Sequence, residues 1–235
     1  MHDNWILCDD DDAIIDAIAD ELLINRLTAT VLYHRGITDA DSARKFLDPE
    51  HAQEFYDSFS MKGVSDAVDR IVRAIEKKER IVIYGDYDVD GMTASTIMIR
   101  ALRRLGAAVD AYIPSRQTEG YGFNVEALQK LTYDYELLIS VDCGITNGAE
   151  IEAVKNSLDV IVTDHHLPSE PLTNAIAVID PHQPDCNYPE KNLCGAGVAF
   201  KLCQALAARI DRIDYREYVE DIELAALGTV ADLVP

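Results

Sequence analysis

The chain has 235 residues, of which 48% are hydrophobic, and it carries 42 acidic against 21 basic side chains, a formal net charge of -21. This composition supports a folded core, and no stretch approaches the roughly 18 apolar residues of a membrane span or the pattern of a signal peptide, so we expect a soluble, cytoplasmic protein. Five scattered cysteines without a Cys-x-x-Cys pair argue against structural zinc and a disulfide framework. The negative net charge argues against nucleic-acid binding unless the protein has a local basic groove or a further domain.

Residues 1–62 are predicted to form a small, acidic helical region. Asp11 and Asp12 can cap a helix whose apolar residues recur at helical spacing. The run Thr38-Asp39-Ala40-Asp41 is typical of a second helix start, and Pro49 would end that helix.

Residues 63–235 are predicted to form a larger domain in which helices and strands alternate, beginning with a helix from Val64. The predicted strands are 80–84, 108–113, 137–141, 159–163 and 175–179, and the helices that follow the first strand are 92–105, 124–131, 147–155, 196–210 and 215–227. Alternation with continuously apolar strands predicts an α/β fold with a doubly wound, mainly parallel sheet and helices on both faces.

The run IVIYGDYDVDG places Asp86, Asp88 and Asp90 on alternate positions just after the first predicted strand. A calcium-binding EF-hand loop is excluded, because its twelfth position would be Ile97, which has no ligand atom. Three carboxylates so close together repel one another, which favours a bound divalent cation. A solvated acidic turn is the alternative for this run taken alone.

Metal-ligating residues also follow the third and fourth predicted strands. Asp142 ends the third strand, and Asp164, His165 and His166 follow the fourth. Since the carboxyl ends of parallel strands meet at one edge of a sheet, we expect these groups to converge with the acidic run. Carboxylates and imidazoles without thiolate favour Mn²⁺ or Mg²⁺, and two such ions would suit phosphodiester hydrolysis. His166 could instead contact the scissile phosphate, and a histidine pair that only caps a loop is the alternative.

These residues resemble a known family, the DHH phosphoesterases. Asp164-His165-His166 is similar to the motif that names the family, GDYDVDG to its first motif, and Asp142 in SVDCG to its second. Gly228–Pro235 resembles a later motif whose aspartate binds metal. The RecJ branch of the family is indicated by further runs: Pro114-Ser115-Arg116, Glu119-Gly120-Tyr121-Gly122, Leu193–Phe200 and the N-terminal stretch from Asn25 to Pro49.

The resemblance implies a 5′-to-3′ exonuclease that degrades single-stranded DNA with Mn²⁺ or Mg²⁺, two ions being expected, in DNA recombination and repair. It implies as metal ligands Asp88, Asp90, Asp142, His165 and Asp232. Asp86, Asp164 and His166 would have catalytic or supporting roles, and a substrate phosphate would be bound by Arg116, His166, Gly195 and Gly197. A surface charge is the alternative for Arg116, and tight helix–sheet packing is the alternative for the two glycines.

The chain departs from the family pattern at two places. Tyr84 stands where some members have a histidine, which weakens the case for a ligand there. The run Asp180-Pro181-His182 replaces an Asn-Pro pair and adds another acid, with His182 interpreted as a loop residue rather than a ligand. The aromatic residues of this region are expected to pack in the core rather than to stack on bases; they are Tyr112, Tyr121 and Phe123.

DHH enzymes normally continue into a second domain that forms the far wall of the cleft, and the RecJ branch adds an oligonucleotide-binding module. Neither is expected within these residues, so the chain is interpreted as the catalytic half of a longer protein or as a shortened relative. The expected partners are single-stranded DNA and repair or replication proteins, and no membrane. Two other functions stay open: a DHH phosphodiesterase acting on short oligonucleotides or cyclic dinucleotides, and a catalytically inactive scaffold in a replication complex.

Overall fold

The computed structural model describes residues 9–48, 56–117, 120, 122–169, 172–210 and 219–234. It divides the chain into two compact units, Met1–Phe55 and Tyr56–Pro235. The boundary predicted from the sequence lies a few residues later, between positions 62 and 63. Glu119, Tyr121 and the predicted start of the last helix at 215 lie outside the described residues.

Residues 9–48 of the first unit form three short helices, α1 (Asp12–Leu22), α2 (Arg26–His34) and α3 (Ala40–Leu47). Each begins at a residue whose side chain accepts hydrogen bonds from the first-turn amides, and these caps are Asp11, Asn25 and Asp39. The helices bury a small apolar cluster of Ile15, Ile18, Ala29, Leu32 and Ala43. The predicted helical N-terminal region is therefore confirmed.

The second unit is an α/β domain. After a 3₁₀ turn at Ser58–Ser60, its elements in chain order are α4 (Val64–Lys77), β1 (Arg80–Gly85), α5 (Val89–Arg104), β2 (Ala108–Tyr112), α6 (Val125–Leu131), β3 (Leu137–Val141), α7 (Gly148–Val154), β4 (Asp159–Thr163), β5 (Ala177–Ile179), α8 (Gly195–Ile210) and α9 (Val219–Ala231). The strands form one sheet in the order β2-β1-β3-β4-β5, and all four pairings are parallel. The predicted doubly wound parallel sheet is confirmed.

Helices cover both faces of the sheet because successive strand side chains point to opposite sides. On β1, Ile81 and Ile83 join the larger apolar core with α4, α5, α8 and α9, whereas Val82 and Tyr84 join the smaller core with α6 and α7. None of the described helices is long and apolar enough to cross a membrane.

Three predicted boundaries differ from the structure by more than one residue. Helix α5 begins at Val89 rather than at 92, because the Asp88 carboxylate caps it by accepting from the Gly91 amide. Strand β5 starts two residues later than predicted. Helix α9 continues to Ala231, beyond the predicted end at 227, because Gly228 packs inside the helix against α5.

The aromatic residues near β1 pack as the sequence predicts. Tyr84 is fully buried and its hydroxyl donates to the Gly122 carbonyl at 3.1 Å. The Tyr112 ring stacks on Tyr84 at a centroid distance of 5.2 Å, and Phe123 meets Tyr84 edge-on at 4.9 Å. Core packing is therefore confirmed for Tyr112 and Phe123.

Candidate metal centre

The candidate site lies at the carboxyl ends of β1, β3 and β4. Strands β1 and β3 are neighbours in the sheet. The connection after β1 leads to β2 on one side of this pair, and the connection after β3 leads to β4 on the opposite side. The loops that follow these two neighbouring strands therefore diverge, and such a crevice is the usual ligand site of an open parallel sheet. The acidic run and Asp142 follow β1 and β3, and Asp164 follows β4.

His165 is the centre of the first group of side chains. Its Nε2 atom lies 3.1 Å from Asp142 Oδ1, 3.6 Å from Asp232 Oδ2 and 3.7 Å from Asp90 Oδ2. These residues come from four distant segments of the chain. The predicted ligands Asp90, Asp142, His165 and Asp232 are thus brought together.

Asp142 is held in an unfavourable environment. It is 2% exposed and its φ of 61° lies in the left-handed region, which few residues other than glycine, asparagine and aspartate adopt. Burial raises its pKa to about 7, even though His165 opposes this shift. A bound cation would stabilise the ionised Asp142 carboxylate and so offset the free-energy cost of this environment.

Two buried atoms indicate whether these residues fit a metal ion. Asp142 Oδ1 and His165 Nε2 face each other, yet neither has a well-aligned hydrogen-bond partner among the described residues. Buried polar atoms of this kind call for a partner such as an ion. Carboxylate oxygen and imidazole nitrogen are ligands that Mn²⁺ accepts, so the donor set fits.

Asp86 and Asp88 extend the site beyond Asp142. One oxygen from each of these three carboxylates lies within 4.8 Å of the other two. Asp88 is exposed, whereas Asp86 is 5% exposed. Burial raises the pKa of Asp86, and the Asp88 charge adds to that shift. The structure thus holds several overlapping groups of potential ligands, which is the arrangement that two neighbouring ions require.

Asp164 organises the loop that follows β4. Its carboxylate accepts from the amides of Ile145, His165 and His166 at 2.8–3.2 Å and from His166 Nδ1 at 2.7 Å. Burial alone would raise its pKa, but these bonds outweigh burial and lower it. The bond to Asp164 raises the pKa of His166 to about 9, which favours the protonated form of this half-exposed ring.

The two glycines predicted to bind phosphate have other partners. Gly195 and Ala196 donate their amides to the two oxygens of Asp90 at 2.6 and 2.8 Å, and the Gly197 amide donates to Cys194 Sγ at 3.3 Å. Both glycine amides are therefore engaged within the protein, and a role of Gly195 and Gly197 in binding phosphate stays a prediction. The start of α8 instead holds a carboxylate, as helix N-termini do.

Glycine is required where α9 passes α5. A Cβ atom at Gly228 would lie 2.5 Å from Asp90 Oδ1, 2.9 Å from the Ala196 Cβ and 3.0 Å from Thr93 Oγ1. This close approach lets α9 deliver Asp232 to His165.

Gly228→Ala is expected to destabilise the protein by about 1–3 kcal/mol through overpacking and to weaken Mn²⁺ binding, because the methyl group displaces Asp90 or α9. Thermal unfolding and Mn²⁺ titration measure both effects. The matched control is Gly148→Ala in the first turn of α7, where the new Cβ would be 3.7 Å from Thr173 and no loss is expected. Equal behaviour of the two variants would contradict the role of Gly228.

The remaining predicted residue, Arg116, lies on the loop after β2. It is exposed, and its Cζ atom is 5.3 Å from the centroid of the Tyr87 ring. The sequence interpretation gave Tyr87 no role. The contact depends on how the loops after the parallel neighbours β1 and β2 turn, and no local sequence pattern indicates it.

Asp180, which follows β5, is a further buried acid near the centre. Its Oδ1 accepts from the His182 amide at 2.7 Å and lies 3.5 Å from His182 Nδ1, while Oδ2 has no hydrogen-bond partner among the described residues. Burial raises the pKa of Asp180 to about 7.

A pH effect follows from this raised pKa. Between pH 4 and about 7 the folded state keeps a proton on Asp180 that the unfolded chain has lost, so stability falls as pH rises. Relative to Asp180→Asn, the free energy of unfolding of the wild type is expected to fall by up to about 1.4 kcal/mol per pH unit in this window. Urea unfolding of both proteins at several pH values, without metal, measures this difference. A difference that is flat with pH, as expected for Asp185→Asn at an 88% exposed side chain, would contradict the assignment.

Comparison with known proteins identifies relatives of this arrangement. Residues 80–230 match the model of the DHH family, N-terminal domain. The single-stranded-DNA-specific exonuclease RecJ of Bacillus subtilis (strain 168) is 44% identical over 233 residues, which are 98% of this chain and 29% of that protein.

Two solved structures are similar as well. The crystal structure of RecJ in complex with Mn²⁺ from Thermus thermophilus gives a TM-score of 0.76 at 34% identity, over 95% of this chain and 31% of that one. A structure of exonuclease RecJ bound to manganese gives 0.68 at 41% identity, over 74% and 44% of the two chains. The chain thus spans less than half the length of each of these relatives.

Proposed function

The chain belongs to the DHH family, and on that premise we propose that it is a metal-dependent phosphodiesterase that shortens single-stranded DNA from the 5′ end. One observation carries the proposal. Asp142 Oδ1 and His165 Nε2 are buried, 3.1 Å apart and without aligned hydrogen-bond partners among the described residues, at the point where four segments of the chain converge. That pair lies within an acidic crevice at the sheet's switch point.

In the proposed enzyme two divalent ions, Mn²⁺ or Mg²⁺, are held by Asp88, Asp90, Asp142, His165 and Asp232. When bound, such ions neutralise charge on the phosphate oxygens and lower the pKa of a water near the scissile bond. The hydrogen bonds from Gly195 and Ala196 fix the Asp90 carboxylate, and each of its oxygens keeps a second lone pair for a ligand bond.

His166 and Asp164 act as a pair in this proposal. The Asp164 carboxylate fixes the ring through Nδ1 and keeps it protonated. The resulting imidazolium contacts the scissile phosphate and counters the charge that develops there. Asp86 supports the site as a buried charge next to Asp88.

Arg116 binds a phosphate of the DNA strand other than the one at the two ions. The planar guanidinium can donate two parallel hydrogen bonds to one phosphate group. Its exposed position on the rim of the crevice leaves room for such a ligand.

The choice of single-stranded DNA rests on similarity to proteins named for that activity. The Bacillus subtilis relative is called a single-stranded-DNA-specific exonuclease and is 44% identical. The proposal therefore includes a role in DNA recombination and repair in the cytoplasm, with repair or replication proteins as partners.

A second candidate is hydrolysis of short oligonucleotides or cyclic dinucleotides. The net charge of -21 favours it, because a long polyanion is repelled more strongly than a short one.

The test is digestion of end-labelled DNA with Mn²⁺. A 5′-labelled single strand is expected to release labelled mononucleotide at once, whereas a 3′-labelled strand shortens stepwise and a blunt duplex is resistant. Chelation by EDTA should stop the reaction. Cleavage of dinucleotides without cleavage of long strands would overturn the exonuclease and support the second candidate, and no cleavage of any substrate would overturn both.

A further inference from the structure

Tyr87 stands between two acids of the site, yet its ring has a partner on another loop. The ring is half-buried, and the Arg116 Cζ atom lies 5.3 Å from its centroid. This distance is within the roughly 6 Å of a cation–π contact. Asp86 and Asp88 contribute carboxylates to the candidate centre, so Tyr87 is the residue of this run that faces an arginine instead.

The backbone on both sides of Tyr87 is fixed. The Tyr87 amide donates to Asp86 Oδ1 at 2.7 Å, and the next residue, Asp88, caps α5 by accepting from the Gly91 amide at 2.9 Å. The ring therefore projects from an anchored turn. Arg116, in contrast, lies on a loop without regular structure, four residues after the end of β2.

Two effects would keep the Arg116 guanidinium from binding a substrate phosphate. Its long side chain has many rotamers, and ordering that side chain on a ligand costs conformational entropy. Its positive charge is also attracted to the carboxylates of Asp86 and Asp88, which flank the tyrosine that it contacts. Without a support, the side chain would sample solvent or fold down onto the metal ligands.

We propose that Tyr87 is a positioning residue whose ring holds the Arg116 guanidinium at the rim of the site, oriented toward a substrate phosphate and away from the acidic ligands. This inference rests on the proposed nuclease function and adds a residue to it. The aromatic face fixes the plane of the guanidinium and leaves its edge, which carries the N–H donors, for the phosphate.

The test is a double-mutant cycle in KM and kcat on a 5′-labelled single strand. Tyr87→Leu is expected to raise KM about 2- to 5-fold, the size of one exposed cation–π contact, with kcat and Mn²⁺ affinity unchanged. Tyr87→Phe keeps the ring face and should behave as wild type. Arg116→Ala should raise KM at least about 10-fold, as expected for a charge-assisted hydrogen bond to phosphate. Adding Tyr87→Leu to Arg116→Ala should then have no further effect.

Three outcomes overturn the inference. If Tyr87→Leu equals the matched control Tyr133→Leu, at an 88% exposed tyrosine, the ring has no role in binding. If the effects of Tyr87→Leu and Arg116→Ala multiply, the ring contacts DNA by itself, as a base-stacking residue would. If kcat or Mn²⁺ affinity falls instead of KM rising, Tyr87 only supports the acidic turn. An inactive wild type would refute the proposed function, and an active wild type with any of these outcomes refutes the inference alone.

Discussion

Asp142→Asn is expected to abolish nuclease activity and to weaken Mn²⁺ binding at least about 100-fold. Even residues that only orient a metal ligand cost 10- to 100-fold in affinity when changed, and Asp142 is placed to ligate directly. The amide keeps the size of the carboxylate and tolerates the left-handed backbone at φ 61°, so the fold should be retained. Calorimetric Mn²⁺ titration and the end-label assay measure the two losses.

The same substitution should have the opposite effect on stability. Without metal, the neutral amide in place of the buried acid removes a charge that burial and Asp90 both disfavour, and a gain of about 0.5–2 kcal/mol in the free energy of unfolding is expected. Saturating Mn²⁺ should reverse the order, because only the wild type gains binding energy. Asp185→Asn is the control and should change neither quantity. A metal-free Asp142→Asn that is clearly less stable than wild type would contradict a strained metal site.

Asp221→Asn is expected to cause the largest loss of stability, about 2–3 kcal/mol or roughly 5 to 10 °C in Tm. Asp221 is fully buried at the start of α9, with Oδ2 2.8 Å from Arg104 Nη1 and Oδ1 3.2 Å from Arg100 Nε. Both arginines are partly exposed, which reduces the loss below that of a fully buried pair.

The ion pairs of Asp221 also bear on the metal site, because they attach α9 to the helix that carries Asp90. Asp232, at the far end of α9, should therefore bind metal less well in Asp221→Asn, and differential scanning calorimetry with and without Mn²⁺ measures both effects. Asp69→Asn is the matched control, since its pair with Arg209 is exposed and 3.6 Å long, and it should cost less than about 0.5 kcal/mol. If both variants lose the same stability, α9 is not held by Asp221.

The sequence predicted the parts of the site that depend on strand ends. Apolar β-branched runs define β1, β3 and β4, and the acids directly after them must meet when the strands are parallel. Asp90, Asp142 and His165 therefore came together as expected. Their roles as ligands remain a proposal, which metal binding must test.

Other features could not be predicted because they depend on contacts between distant segments. The hydrogen bonds from the start of α8 to Asp90 use the amides that were expected to face a phosphate. The contact between Tyr87 and Arg116 depends on how two loops turn after neighbouring strands. The buried Oδ2 of Asp180 depends on the packing around β5. Such contacts are set by tertiary packing, which local sequence patterns do not encode.

The most direct test of the central claim is electron paramagnetic resonance of the protein titrated with Mn²⁺. Two ions held by the overlapping carboxylate and histidine groups are expected to bind per chain and to give an exchange-coupled spectrum that is lost in Asp142→Asn. Binding of a single isolated ion, or a coupled spectrum that survives in Asp142→Asn, would contradict a two-ion centre built on the ends of β1, β3 and β4.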